Sequence, residues 1–93
     1  MLLKAEHKVP GGKLIKVTVS SKNNIIEEIK ITGDFFLHPE ESIEELEKKF
    51  KGVETNGDTI KRILHEFFDP SKILIGATPE DFFLTIEKAL SKV

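Results

Sequence analysis

From Leu3 to Val9 apolar and polar residues alternate, with Leu3, Ala5, His7 and Val9 on one side and Lys4, Glu6 and Lys8 on the other. A period of two is the mark of a half-buried strand. Pro10-Gly11-Gly12 interrupts it with a turn signal. Alternation resumes from Lys13 to Ser20, where Ile15, Val17 and Val19 oppose Lys16 and Thr18. Lys22-Asn23-Asn24 is a second turn, because asparagine tolerates positive φ at low cost. A third strand is predicted from Ile25 to about Leu37, with Ile25, Ile29, Ile31 and Phe35 in its inward row. Connections this short imply an antiparallel meander with one apolar face to be covered.

The period then lengthens to that of helices. Pro39 suits a first helical position, with Glu40 and Glu41 near the positive end of the helix dipole. Ile43, Leu46 and Phe50 form the stripe that follows, ending near Gly52. Gly57-Asp58 offers a cap for a second helix carrying Ile60, Ile63, Leu64, Phe67 and Phe68, closed by Asp69-Pro70. Ile73-Leu74-Ile75 reads as a buried connector or short strand. Thr78-Pro79-Glu80-Asp81 opens a last helix with Phe82, Phe83, Ile86, Ala89, Leu90 and Val93 on its apolar side. The expected fold is α+β: a three-stranded antiparallel meander packed against two or three C-terminal helices, one domain over residues 1–93.

One stretch does not fit a simple strand. Phe36 falls in the row of Glu28, Lys30, Thr32 and Asp34, which points to solvent, unless a bulge at Gly33 resets the register. Phe67-Phe68 and Phe82-Phe83, by contrast, can each share one wide helical stripe and belong to the core. An aromatic turned away from the core is a contact for something else.

Composition narrows the function. The chain has 93 residues, 32% of them charged, a formal net charge of −2 and no cysteine. Disulfide, thiolate-metal and cysteine-nucleophile chemistry are therefore absent. No basic excess marks a nucleic-acid binder, and no apolar run is long enough for a bilayer. The charged start, Met1 to Glu6, is not that of a signal peptide, so a cytoplasmic protein is expected.

No catalytic pattern assembles. His7, His38 and His65 lack ligand spacing. His7 reads as a structural histidine, His38 as the cap or turn residue before Pro39, and His65 as a surface residue. Glu27-Glu28, Glu40-Glu41 and Glu44-Glu45 are solvated or dipole-matched carboxylates rather than an acid–base pair. Pro10-Gly11-Gly12-Lys13 joins two strands and lacks the helix that a phosphate loop needs, so it is a hairpin. Asp34, where the strand leaves the sheet, either holds turn amides or reaches a partner.

Lys8-Val9-Pro10-Gly11-Gly12-Lys13-Leu14-Ile15 and Ile31-Thr32-Gly33-Asp34-Phe35-Phe36-Leu37-His38-Pro39-Glu40-Glu41 resemble the C-terminal accessory domain of lipoate–protein ligases. In some archaea and bacteria that domain is a separate small subunit. The resemblance covers nearly the whole chain, and the Thr32–Glu41 run is its specific part. It implies a non-catalytic subunit, needed with a catalytic chain for ATP-dependent lipoate adenylation before lipoyl transfer to an acceptor-protein lysine. ATP, Mg and lipoate would be bound by the complex and not by this chain alone. The lipoate-binding Arg-Arg-x-x-Gly-Gly-Gly pattern is missing. Gly33, Asp34, Phe35, Phe36 and His38 would form the interface to the catalytic subunit, with no role for nucleic acid or membrane. The rival from the residues alone is a non-enzymatic interaction module that homodimerises through its exposed sheet face.

Overall fold

The meander forms as the alternation implies. In the computed structural model, which describes residues 2–92, β1 (Leu2–Lys8), β2 (Leu14–Lys22) and β3 (Ile25–Gly33) pair antiparallel in chain order. The register aligns Leu3 with Val19 and Ile29, and Ala5 with Val17 and Ile31, so the apolar rows coincide. Lys4, Thr18 and Lys30 form a row of the opposite face, and Glu6, Lys16 and Thr32 another. That face carries charge and hydroxyls, which leaves a homodimer built on it without the apolar surface a stable pair requires.

A bulge sits elsewhere than at Gly33. Ser20 faces Glu28 while Ser21 faces Ile26, so Glu27 is an extra residue in β3. Both Glu27 and Glu28 are exposed, and the buried residue before them is Ile26, not Ile25. Strict alternation fails there because a bulge shifts the side-chain phase by one.

The predicted third strand also divides. β3 ends at Gly33, and the chain re-forms as β4 (Phe36–His38), which pairs antiparallel with β5 (Ile73–Ile75) in a separate two-stranded ribbon. Phe36 to His38 is extended, the His38–Pro39 bond is cis, and Pro39 to Glu41 form a turn. Helix α1 (Ser42–Phe50) begins after it, so its first-turn acids are Glu44 and Glu45 in place of Glu40 and Glu41.

Helix α2 (Gly57–Phe67) is capped one residue earlier than Gly57-Asp58 implies. The Asn56 side chain accepts from the amides of Asp58 and Thr59 at 2.8 and 3.2 Å. Helix α3 (Pro79–Leu90) opens with the expected box, in which the Thr78 hydroxyl accepts from the Asp81 amide and the Asp81 carboxylate accepts from the Thr78 amide. Val93 lies outside the described residues. The helices bury Leu46, Phe50, Ile60, Leu64, Phe82 and Ile86 against the meander, and Phe68 and Phe83 pack at the edge of that core.

The free edge of β3 is covered rather than left to pair with another chain. Ile26 exchanges backbone bonds with Gly52 and Val53 at 2.7 Å each, and the Ile31 amide donates to the Glu47 carboxylate at 2.7 Å.

Side chains of α3 also tie it to distant parts of the chain. His7 Nε2 lies 3.2 Å from Asp81 Oδ1, tying β1 to the start of α3. Burial alone raises the Asp81 carboxyl, but the bonds from the Thr78 amide and hydroxyl, and His7 beside it, outweigh burial and hold the group below its usual value. At the same end of the sheet, since His7 pairs with Ile15 and Ile15 with Gly33, the Phe35 ring packs edge-on against Phe82, centroids 5.0 Å apart. It passes so close to Gly33 that an added Cβ would lie 2.8 Å from two of its ring carbons and would also collide with the Leu14 carbonyl oxygen.

A carboxylate with a depressed folded pKa stabilises the fold above its unfolded value, about 3.9, and that contribution is lost as pH falls through the lower folded value. Asp81→Asn should therefore cost about 1 kcal/mol at neutral pH. The variant should also lose less stability than the parent on acidification below about pH 4, read by urea denaturation under circular dichroism. Gly33→Ala must displace the Phe35 ring or the Leu14 strand and should cost about 1–3 kcal/mol, measured as a fall in thermal midpoint.

Candidate partner-docking face

The ribbon presents two faces because successive strand residues alternate. Leu37 and Leu74 are paired across it and turn inward, Leu37 buried and Leu74 against the core. On the outer face Phe36 stands opposite Ile75, and His38 opposite Ile73. Phe36, Ile73 and Ile75 are 55%, 52% and 58% exposed, so three of the five large apolar side chains most open to solvent among the described residues share this face. The His38 ring lies parallel to that of Phe36, centroids 6.5 Å apart. Beside Phe36 a shallow groove of about 430 Å³ runs between the end of β3 and α1, lined by Gly33, Phe35, Leu37 and Ile43, with Glu40 adding a charge.

The five residues singled out in the sequence are thus divided. Phe36 and His38 come together on the outer face. Phe35 turns back to Phe82, and Gly33 is the close approach that permits it. Asp34 is not free to reach outward. Its Oδ1 accepts from the Leu14 amide at 2.6 Å and its own amide donates to the Leu14 carbonyl at 3.2 Å, extending the ladder by one pair. His38 is the last residue of β4, not a cap, because the turn begins at Pro39.

Ile73 and Ile75 were missed as surface residues, since three apolar residues in a row read as buried. Alternation puts Ile73 and Ile75 on one side and Leu74 on the other, and the pairing of Leu74 with Leu37 decides which side is inward. Lys13 was also missed. Its aliphatic stem lies along Gly76, within 2.9–3.3 Å of where a Cβ would stand, at the end of the ribbon that carries Ile75.

Elsewhere the chemistry is structural. The Pro10–Lys13 hairpin is closed by the Val9 amide donating to the Lys13 carbonyl at 2.7 Å, with Gly11 and Gly12 at positive φ. His65 is exposed on α2. Among the described residues no three histidine or carboxylate side chains gather as a metal site. A hollow of about 540 Å³ between α1 and α2 mixes Glu45, Glu66 and Asp69 with Lys49 and Lys72 over Ile63 and Phe67. Hydrogen bonds from Ser71 hold the Asp69 carboxyl there below its usual value.

Comparisons with known proteins agree with the fold. The chain is 41% identical over 69 residues to lipoate-protein ligase A subunit 2 of Thermoplasma acidophilum, covering 74% of this chain and 71% of that one. Its fold matches a chain from the archaeal lipoylation system of Thermoplasma acidophilum, a bi-partite lipoate protein ligase and its E2 lipoyl domain. The TM-score is 0.83 and the identity 35%, over 92% of this chain and 94% of that one. Residues 2–86 match the family described as bacterial lipoate protein ligase C-terminus, and the chain belongs to that family.

Proposed function

We propose that this chain is the accessory subunit of a two-chain lipoate–protein ligase. It docks through the outer face of β4 and β5 onto a separate catalytic subunit, and the pair adenylates lipoate before the lipoyl group passes to a lysine of an acceptor protein. The observation that carries this is the Phe36, Ile73 and Ile75 face: a contiguous apolar surface, in a ligase C-terminal family, that the chain does not cover for itself. A relative is itself named as subunit 2 of such a ligase, which supports a catalytic chain as the occupant. Gly33 and Phe35 set the shape of the face from beneath, and Asp34 holds the strand end that supports it. A cytoplasmic setting goes with this reading; among the described residues no helix is long and apolar enough to cross a membrane.

The chemistry explains why such a subunit is useful. In adenylation the lipoate carboxylate attacks the α-phosphorus of ATP, a bond to phosphorus forms and pyrophosphate leaves, with Mg balancing the phosphate charge. Both reactants are anions, and water competes for the mixed anhydride they form. A domain seated beside the pocket excludes that water and orders the partner's loops. In the second step the acceptor amine attacks the acyl carbon and AMP leaves.

Mixing this chain with its catalytic subunit, ATP, Mg and lipoate should raise the rate of pyrophosphate release above that of the catalytic subunit alone. Equal rates with and without the chain remove the accessory reading. Phe36→Ala and Ile75→Ala should each weaken the complex by about 2 kcal/mol, roughly thirtyfold in Kd. The thermal midpoint of the isolated chain should change little. On a sizing column the free chain should run as a monomer, and a stable homodimer would favour the interaction-module rival.

A further inference from the structure

The apolar face has unlike ends. At the Ile75 end stands Lys13, whose stem is laid along Gly76. Its ammonium makes no ion pair or side-chain hydrogen bond among the described residues. The Asp34 carboxylate, just past the end of β3, is turned to the backbone, where its Oδ1 accepts from the Leu14 amide at 2.6 Å. At the His38 end the chain continues into Glu40 and Glu41, both exposed and both without a side-chain hydrogen bond or ion pair among the described residues. Lys72, next to Ile73, is not paired with them. Instead its ammonium sits over the Phe67 ring, 4.7 Å from the centroid, and donates to the Ser71 hydroxyl at 3.2 Å.

A three-residue strand spans roughly 10 Å, about one screening length at physiological salt. The two ends therefore act on an approaching partner as separate poles. Unpaired charges at the rim of an apolar patch do little for the isolated fold. They set the direction and speed of docking when the partner is complementary.

Taking the catalytic subunit as the occupant, as in the reading above, we propose that this face is charge-polarised and accepts its partner in one orientation. Lys13 meets a carboxylate of the catalytic subunit, and Glu40 and Glu41 meet a lysine or arginine at the opposite end of the same apolar strip. The partner surface that fits is an apolar strip with an acidic end and a basic end. The pairing fixes register, which the short, flat Phe36, Ile73 and Ile75 surface cannot do by shape.

The test is association of the full chain with the catalytic subunit, followed by surface plasmon resonance at low and high salt. Lys13→Glu and the double variant Glu40→Lys with Glu41→Lys should each raise Kd about tenfold or more at low salt, mainly through a slower on-rate. The difference from the parent should shrink toward twofold or less near 1 M salt, where screening acts within about 3 Å. Lys13→Gln keeps the stem over Gly76 and should give a smaller loss of the same kind, while Lys13→Arg should bind as the parent does. Unchanged on-rates and Kd for both reversals at low salt, with Phe36→Ala still weakening the complex, overturn the polarised face and leave the docking reading in place. Unchanged association with a raised KM for ATP in Lys13→Gln places the lysine on the nucleotide and also overturns it. If the parent chain fails to bind at any salt, the docking reading itself falls, and the inference with it.

Discussion

The architecture depends on one aromatic contact at the corner of the meander. The Phe35 ring leaves the end of β3, folds over Gly33 and meets Phe82 of α3 edge-on. Phe82 in turn touches Phe68, and Phe68 touches Phe67, with centroids 5.3 and 5.2 Å apart. This row of rings fastens the sheet corner to the second and third helices. Each such pair adds about 0.5–1.5 kcal/mol beyond the area it buries. Once Phe35 is held inward, its neighbour in an extended chain must point the other way. Phe36 is therefore on the surface because of a constraint on the residue before it.

That constraint also explains the ribbon. Two strands of three residues are not stable in water by themselves. β4 and β5 persist because Leu37 and Leu74 are inserted into the body of the domain while Phe35 anchors the strand entry. The opposite face receives no cover from any described element. By contrast, β3 is capped along its exposed edge by Gly52, Val53 and Glu47. A chain that shields one edge so thoroughly and leaves an aromatic and two isoleucines open elsewhere distinguishes surface to be hidden from surface to be shared.

The division of labour in the proposed ligase follows from size as much as from motifs. A body of this length affords one core, and here sheet and helix side chains such as Ile15, Val19, Phe50 and Phe82 fill it. What remains available to it is shape and charge at its surface. Such a subunit acts on chemistry by closing off water and by holding another chain's loops, so its effect is expressed only in the assembled pair.

Local pattern was sufficient for much of the fold. Period-two rows placed β1 and β2 and the inward residues Leu3, Ala5, Val17 and Val19, and the capping box with Pro79 placed the start of α3. These depend on contacts within a few residues, where side-chain type and backbone preference act directly. The outward direction of Phe36 was legible for the same reason. What the sequence could not decide was settled by partners far away in the chain. Glu27 became a bulge because β2 and the Gly52–Val53 segment both claim the backbone around Ile26. Helix α1 started at Ser42 because β5, some 35 residues on, pairs with Phe36–His38 and keeps them extended. Ile73 and Ile75 became surface only when that same pairing assigned the inner face to Leu74. A residue's composition states what it can bury, but only the tertiary structure decides which side is already taken.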